Sequence, residues 1–430
     1  MNKKLNLEYH MLFLANPFFH YKSNVLNIEN VSVLDITNSI GTPVYCYSLN
    51  AIKNNYIQFK ENLPNNSIIC YAVKSNSNLS ILSLLSSLGS GADAVSEGEI
   101  RRAITAGISP NKIVFSGVGK TEQEISFALD NRILQLNVES IEELQLINKI
   151  SYHKNIIAPV SIRINPNINA NTNDKITTGL KVNKFGIPEE SLDQVFNSLL
   201  TNIKIIGISV HIGSQIANLG IFQNTIDKVK RIVKIFEQHN IHILRVDMGG
   251  GLGIPYKNSD IFPTIQEYTN LLKNNFEKES YNIICEPGRA IVGNTGILLA
   301  KVLYHKSNYE KNHLVLDTGM NDLIRPALYN AEHTIIPAVV SSKSHLSFDI
   351  VGPICESDDT FAHSYWINNV DNNEIVAICT VGAYGSSMSS NYNSRPLVPE
   401  VIVNKDNYHI IRHRQTYNDM LKDEVTLKFK

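Results

Sequence analysis

Between residues 67 and 285 the chain alternates short apolar runs with longer mixed ones. The runs Ile68–Val73, Ala92–Val95, Ile113–Ser116, Leu134–Val138, Val160–Asn165, Gly207–Ile212, Arg245–Met248 and Asn282–Cys285 have strand length, and most are rich in Ile and Val. Short apolar runs of this length read as strands. Helix-length segments fall at about 78–88, 97–106, 121–130, 140–150, 188–201, 220–239 and 261–278. "SEGEIRRAITAG" shows the helix signals most fully: Ser96 can cap, Glu97 and Glu99 suit the amino end, and Gly107 stops the run. Eight strands with intervening helices predict a (β/α)8 barrel.

The flanks follow another pattern. Residues 1–45 and 296–430 carry short strand-like runs such as "GILLAKVLYHK", "HLVLDTG" and "EIVAICTVGAYG". The expected fold class is therefore α/β plus β. A TIM-like barrel over 46–295 joins a mostly β C-terminal domain over 296–430, which also takes in the N-terminal segment 1–45. The length of 430 residues agrees with two domains. No Pro-, Gly- or Ser-rich linker separates them, so they are expected to pack closely.

Composition narrows the function class. Hydrophobic content of 43%, charged content of 18% and a net charge of −1 describe a soluble globular protein without a broad basic face for nucleic acid or anionic lipid. The start "MNKKLNLEYHMLFLANPFFHY" is faintly signal-like, but Glu8, His10, Asn16 and Pro17 interrupt it. No apolar run approaches membrane-spanning length. Cys46, Cys70, Cys285, Cys355 and Cys379 are odd in number and form no CxxC pair, so reduced thiols, a cytoplasmic location and no zinc site are expected.

Candidate chemistry sits at the strand ends. Lys74 closes the apolar run "IICYAV", where a cation is costly unless it snorkels to water or has a task. Strand six ends in "HIGSQ" with His211 and Ser214, strand seven in "MGGGLG" with Gly249, Gly250, Gly251 and Gly253, and strand eight in "EPGR" with Glu286, Gly288 and Arg289. Taken singly, these are a structural histidine, a turn and a surface string. Taken together they describe one ligand. Glycines let backbone N–H groups approach a phosphate, and the loops after strands seven and eight are a usual phosphate site in barrels. Arg289 or Ser214 can complete that cradle. A lysine amine forms a Schiff base with an aldehyde, a carboxylate keeps a pyridine nitrogen protonated, and an imidazole can stack on the ring. Pyridoxal 5′-phosphate needs all of these.

The ordered strings "YAVKSN", "GADAVSEGE", "TGLKVNKFGI", "VHIGSQI", "DMGGGLGI", "EPGR", "GMNDLIRPALY", "GPICESDD" and "GAYGSSMSSNYNSRP" resemble the fold-type III pyridoxal-phosphate decarboxylases, most closely the diaminopimelate-specific branch, over nearly the whole chain. Ser75 stands where that family usually has Ala, and Ser386 where a bulkier residue is common. The resemblance implies decarboxylation of meso-2,6-diaminopimelate to L-lysine and carbon dioxide, the last step of lysine biosynthesis. It implies a homodimer with shared active sites, in which the β domain of one subunit faces the barrel of the other. Lys74 would hold the cofactor, and Cys355 of the partner subunit would return the proton. By itself, Cys355 could equally be a buried apolar thiol. Arg289, Arg325 and Tyr329 match carboxylate-binding positions, Glu356 an ammonium-binding position, and Tyr384 a position touching both phosphate and substrate. Local alternatives remain: Arg325 could pair with Asp322, and Tyr329 could pack within the β domain.

Three other functions compete. A related decarboxylase acting on carboxynorspermidine or a basic amino acid would not require arginines for a distal carboxylate. An amino-acid racemase is expected to place arginine, not glutamate, at the ring nitrogen. A non-catalytic cofactor carrier would resemble a lone barrel and would not need Cys355, Glu356 or Tyr384.

Overall fold

The computed structural model describes residues 16–170, 178–179, 183–198, 200–257, 259–309 and 311–429. The signal-like stretch up to residue 15 and the centre of "TGLKVNKFGI" at 180–182 lie outside the described residues. The chain forms two compact units: residues 53–254 with 261–291, and residues 1–52 with 255–260 and 292–430.

The first unit is a closed parallel barrel. Its strands are β1 Ser67–Ala72, β2 Gly91–Ala94, β3 Ile113–Phe115, β4 Gln135–Val138, β5 Ala158–Asn165, β6 Ile203–Ser209, β7 Arg245–Asp247 and β8 Asn282–Cys285. Each pairs in parallel with the next, and β8 pairs back onto β1 through Cys285 opposite Ile69. The apolar runs are thus buried on both faces, with Cys70, Val114 and Ile284 in one inner cluster. The helices that follow these strands are α1 Leu79–Ser87, α2 Glu97–Thr105, α3 Glu122–Asp130, α4 Ile141–Lys154, α5 Leu192–Phe196, α6 Leu219–Gln238, α7 Ile265–Phe276 and α8 Arg289–Val292, and a further helix, Leu49–Asn62, precedes β1. Ser96 caps α2 by accepting the Glu99 N–H at 3.2 Å, and Gly107 follows at φ +90°. The amphipathic α6 buries Ile221, Phe222, Ile226, Val229, Val233 and Phe236 at helical spacing.

Two local expectations change. The helix predicted over 188–201 shrinks to α5, because Ile187–Pro188 pair as a strand with Ile164–Asn165 and a 3-10 turn fills Glu189–Ser191. Only Leu192 and Val195 are buried there, too few apolar positions to sustain more than about one turn. Conversely, the reading of the amino-terminal flank as strands omits a helix, Val33–Ile40, capped by Ser32 and burying Val33 and Ile36.

The second unit is mostly β. Its large sheet runs Thr360–Asn368, His345–Val351, Lys311–Leu316, Gly296–Asn308, Val44–Ser48, Glu400–Asn404, Asn407–Arg412. The amino-terminal segment enters this sheet through Val44–Ser48, antiparallel to Gly296–Asn308 and parallel to Glu400–Asn404. Val44 and Cys46, Ile297 and Leu299, and Val401 and Val403 alternate into one core with Phe19, Leu26 and Ile28.

Candidate active site

The strand ends of the barrel gather the predicted residues. β1 stops at Ala72, and a 3-10 turn over Val73–Ser75 carries Lys74 beyond it. Its Nζ donates to Asp93 Oδ2 at 2.7 Å. Asp93 closes β2 as Lys74 closes β1, and its side chain is fully buried. Lys74 therefore has a fixed ionic partner, while part of its side chain stays open to solvent. Tyr71, Ser75 and Asn76 brace the turn: Ser75 Oγ donates to the Ala72 carbonyl at 2.7 Å, and the Tyr71 hydroxyl to the Asn76 carbonyl at 3.0 Å.

His211 lies past the end of β6. Its Nδ1 accepts the Gly250 N–H at 3.2 Å, which leaves the proton on Nε2. Burial, then the charges of Lys74 and Arg163, press its pKa well below the usual imidazole value. His211 is accordingly a neutral ring held in one tautomer. Arg163 is fixed in turn by Glu139, whose Oε1 accepts from Nη1 at 2.5 Å.

The glycine run after β7 is dictated by space. Gly249 adopts φ +64°, and a Cβ on Gly250 would lie 2.3 Å from the Glu286 carbonyl oxygen. The run is thus pinned against β8, where the Glu286 N–H donates to the Gly249 carbonyl at 2.7 Å. Arg289 opens α8 and donates to Ser214 Oγ from Nη2 at 3.1 Å, so the two predicted cradle side chains meet. Gly288 packs against Ala72 and Ser75, where a Cβ would come within 3.0 Å of both.

Glu286 is buried, and its Oε1 has no hydrogen-bond partner among the described residues. Burial first, then the negative charges of Asp247 and Asp93, push its pKa well above the usual carboxylate value. An acid whose oxygen lacks a donor is under-satisfied in a buried site. A ring N–H directed at Oε1 would satisfy it. With the glycine run and the Ser214–Arg289 pair, the barrel offers places for a pyridine nitrogen, a phosphate and an aldehyde-bound amine. These residues fit pyridoxal 5′-phosphate.

The other predicted residues lie in the second unit. Arg325 begins the short helix Arg325–Tyr329 and is buried. Its Nη1 meets His333 Nε2 at 3.1 Å, and its guanidinium lies 4.5 Å from the Tyr256 ring centre. His333 Nδ1 lies 2.8 Å from the Cys379 carbonyl, so Nδ1 carries the proton and Nε2 accepts from Arg325. Cys355 is exposed, whereas the other four cysteines are buried. The Cys355 N–H donates to Asn393 Oδ1 at 3.1 Å, and the neighbouring Glu356 carboxylate accepts from the Tyr392 hydroxyl. Tyr384 takes the left-handed conformation, φ +56°.

Asp93, Asp247, His333, Tyr256 and Tyr392 escape the sequence reading. Asp93 and Asp247 stand inside quoted strings, and a charge in a buried strand is a signal in its own right. His333 and Tyr256 are not marked by position, because only the fold brings them to Arg325.

A barrel with this lysine, carboxylate and glycine run has the architecture of a pyridoxal-dependent enzyme. Residues 49–293 match the family described as "Pyridoxal-dependent decarboxylase, pyridoxal binding domain". The diaminopimelate decarboxylase of Aquifex aeolicus is 41% identical over 96% of this chain and 98% of its own. That of Helicobacter pylori strain J99 is 44% identical over 89% of this chain and 96% of its own. Among solved structures, the M. jannaschii diaminopimelate decarboxylase in co-complex with L-lysine superposes with a TM-score of 0.91 at 37% identity, covering 97% of this chain and 99% of that one. The H. pylori enzyme complexed with L-lysine gives 0.86 at 42% identity, covering 91% and 98%. The chain belongs to the diaminopimelate decarboxylase family of pyridoxal-dependent decarboxylases. Among the described residues no helix is long and apolar enough to cross a membrane.

Proposed function

We propose that the chain converts meso-2,6-diaminopimelate to L-lysine and carbon dioxide, the last step of lysine biosynthesis, as a pyridoxal-phosphate-dependent carboxy-lyase. The observation that carries this reading is identity near 40% with diaminopimelate decarboxylases over almost the full length of both chains. L-lysine, the product in this reading, is bound in the solved H. pylori and M. jannaschii relatives.

When bound, the cofactor supplies an aldehyde that takes an amine and a protonated ring that accepts the electron pair left by the departing carboxylate. The chain's own residues do the rest. Lys74 provides the amine that anchors the cofactor, and Asp93 holds that amine at the barrel mouth. Gly249, Gly250, Gly251 and Gly288 let the loops after β7 and β8 pack closely, so that their backbone would line the phosphate, and Ser214, Arg289 and Tyr384 bind its oxygens. His211, kept neutral, offers an uncharged ring to stack on. Glu286 Oε1 holds the proton at the ring nitrogen. A glutamate there, not an arginine, favours decarboxylation over racemisation. Arg289, Arg325 and Tyr329 take the distal carboxylate of the substrate, which suits the arginine fork. Glu356 takes the distal ammonium.

Cys355 returns a proton to the substrate carbon once carbon dioxide has left. In this reading the enzyme is a cytoplasmic homodimer, and Cys355, Glu356 and Tyr384 serve the barrel of the partner subunit. The exposure of Cys355 supports that role, since a proton donor to a substrate must be reachable.

The test is carbon dioxide release by the purified, cofactor-loaded protein, with meso-diaminopimelate, lysine, ornithine and arginine as substrates. Release from meso-diaminopimelate alone, with lysine as co-product, is expected. Release from ornithine or arginine with none from diaminopimelate contradicts the assignment.

A further inference from the structure

Behind Glu286 lies a second carboxyl that the account so far leaves without a task. Asp247 ends β7 and is 1% exposed. Its Oδ1 accepts the Gly249 N–H at 2.9 Å, and its Oδ2 accepts from Asn137 Nδ2 at 3.0 Å. Asn137 Oδ1 accepts from Gln135 Nε2 at 2.8 Å, and its Nδ2 also donates to Ser116 Oγ at 3.0 Å. Asp247 thus receives an N–H on each oxygen, which is the environment of an ionised carboxylate. Glu286 lies beside it: β7 pairs with β8, and Gly249, whose N–H donates to Asp247, accepts the Glu286 N–H at its carbonyl at 2.7 Å. Two buried carboxylates at neighbouring strand ends repel each other, so the pair keeps one proton. The Glu286 Oε1 has no hydrogen-bond partner among the described residues. The proton therefore rests on Glu286.

Other groups face this pair. Asp93 from β2 adds negative charge, and Lys74 is the cation opposing it. Cys70, Cys285 and Tyr268 also lie within electrostatic reach, but burial pushes their pKa values up and keeps them neutral. The net local charge is negative, and Asp247 supplies the part of it directly behind Glu286.

We propose that Asp247 is a positioning residue that acts through Glu286: it shares one proton with Glu286 and keeps a second negative charge behind it, so that the proton on the cofactor's ring nitrogen is held by two linked carboxyls rather than one. The proposal rests on the assignment of Glu286 to the ring nitrogen. The sign follows from Coulomb's law. A negative charge near a pyridinium favours its protonated form, so removing that charge lowers the pH at which the ring nitrogen gives up its proton.

The experiment loads wild type, Asp247→Asn and Glu286→Gln with pyridoxal 5′-phosphate carrying nitrogen-15 in the ring. It follows the ring-nitrogen chemical shift against pH. In wild type the shift stays that of a protonated ring through neutral and mildly alkaline pH. In Asp247→Asn the ring loses its proton at a pH lower by about one unit or more. Glu286→Gln lowers it further. If Glu286→Gln moves the titration and Asp247→Asn leaves it at the wild-type position, the role of Asp247 is overturned while that of Glu286 stands. If neither substitution moves it, the assignment of Glu286 itself fails. A measurement on the wild-type apoprotein needs no variant to fold: with carbon-13 in the Asp and Glu carboxyls, one carboxyl should stay protonated at neutral pH. An apoprotein whose carboxyls have all ionised by then overturns the shared proton.

Discussion

The two clusters of functional residues are built in opposite ways. In the barrel, Lys74, His211, Asp247 and Glu286 are each fixed by a hydrogen bond or ion pair to the end of a neighbouring strand or its loop, and both carboxyls are buried. Parallel strands in register impose this, since residues that end adjacent strands must meet. In the second unit, Cys355 and Glu356 sit on an exposed loop, where the Cys355 N–H donates to Asn393 and the Glu356 carboxylate accepts from Tyr392. A finished, desolvated site can shift pKa values and hold a cofactor; an exposed loop can do neither until something covers it. The barrel cluster therefore reads as the fixed half of a site, and the loop cluster as the half that needs a partner surface.

The largest effect expected is at Lys74. Lys74→Ala should lower turnover by about a thousandfold or more, because it removes the amine proposed to anchor the cofactor. Borohydride treatment of the loaded wild-type protein, followed by peptide mapping, should mark Lys74. A label on another lysine would undo the barrel half of the comparison. Next comes Glu286→Gln, which should cut turnover by roughly a hundredfold, about 2.7 kcal/mol of barrier, with the cofactor still bound. Near-normal turnover would remove Glu286 from the ring nitrogen.

A smaller effect tests the barrel region by stability alone. The raised pKa of Glu286 means that the folded apoprotein keeps a proton that the unfolded chain releases above its ordinary carboxylate pKa. Between those two values the unfolded state binds fewer protons, so stability falls as pH rises, at up to about 1.4 kcal/mol per pH unit. Glu286→Gln should flatten that slope in urea melts of the apoprotein. An unchanged slope in Glu286→Gln would contradict the raised value.

The legibility of the sequence divides along the same line. The barrel strands are apparent because burial on both faces makes them continuous apolar runs, and Lys74 and Glu286 stand out where those runs stop. Asp93 and Asp247 carry the signal of a charge in a buried strand, but their partners come from strand order, which sets β2 beside β1 and β7 beside β8. The same holds for Arg325. Its position was readable from a family motif, but its partner His333 is delivered by the contact to the Cys379 carbonyl, far along the chain. The sequence over 188–201 predicts too long a helix because its polar stretches look like helical surface, whereas Pro188 belongs to a strand edge.

Complementation tests the central claim, that one chain's barrel is completed by the other's loop. Lys74→Ala and Cys355→Ala proteins, each nearly inactive alone, are mixed and allowed to exchange subunits. Half of the randomly formed dimers are mixed, and each mixed dimer carries one site with both lesions and one with neither. About a quarter of wild-type activity should return. If exchange is demonstrated and no activity returns, Lys74 and Cys355 act within one chain, and the division of the site between two subunits is wrong.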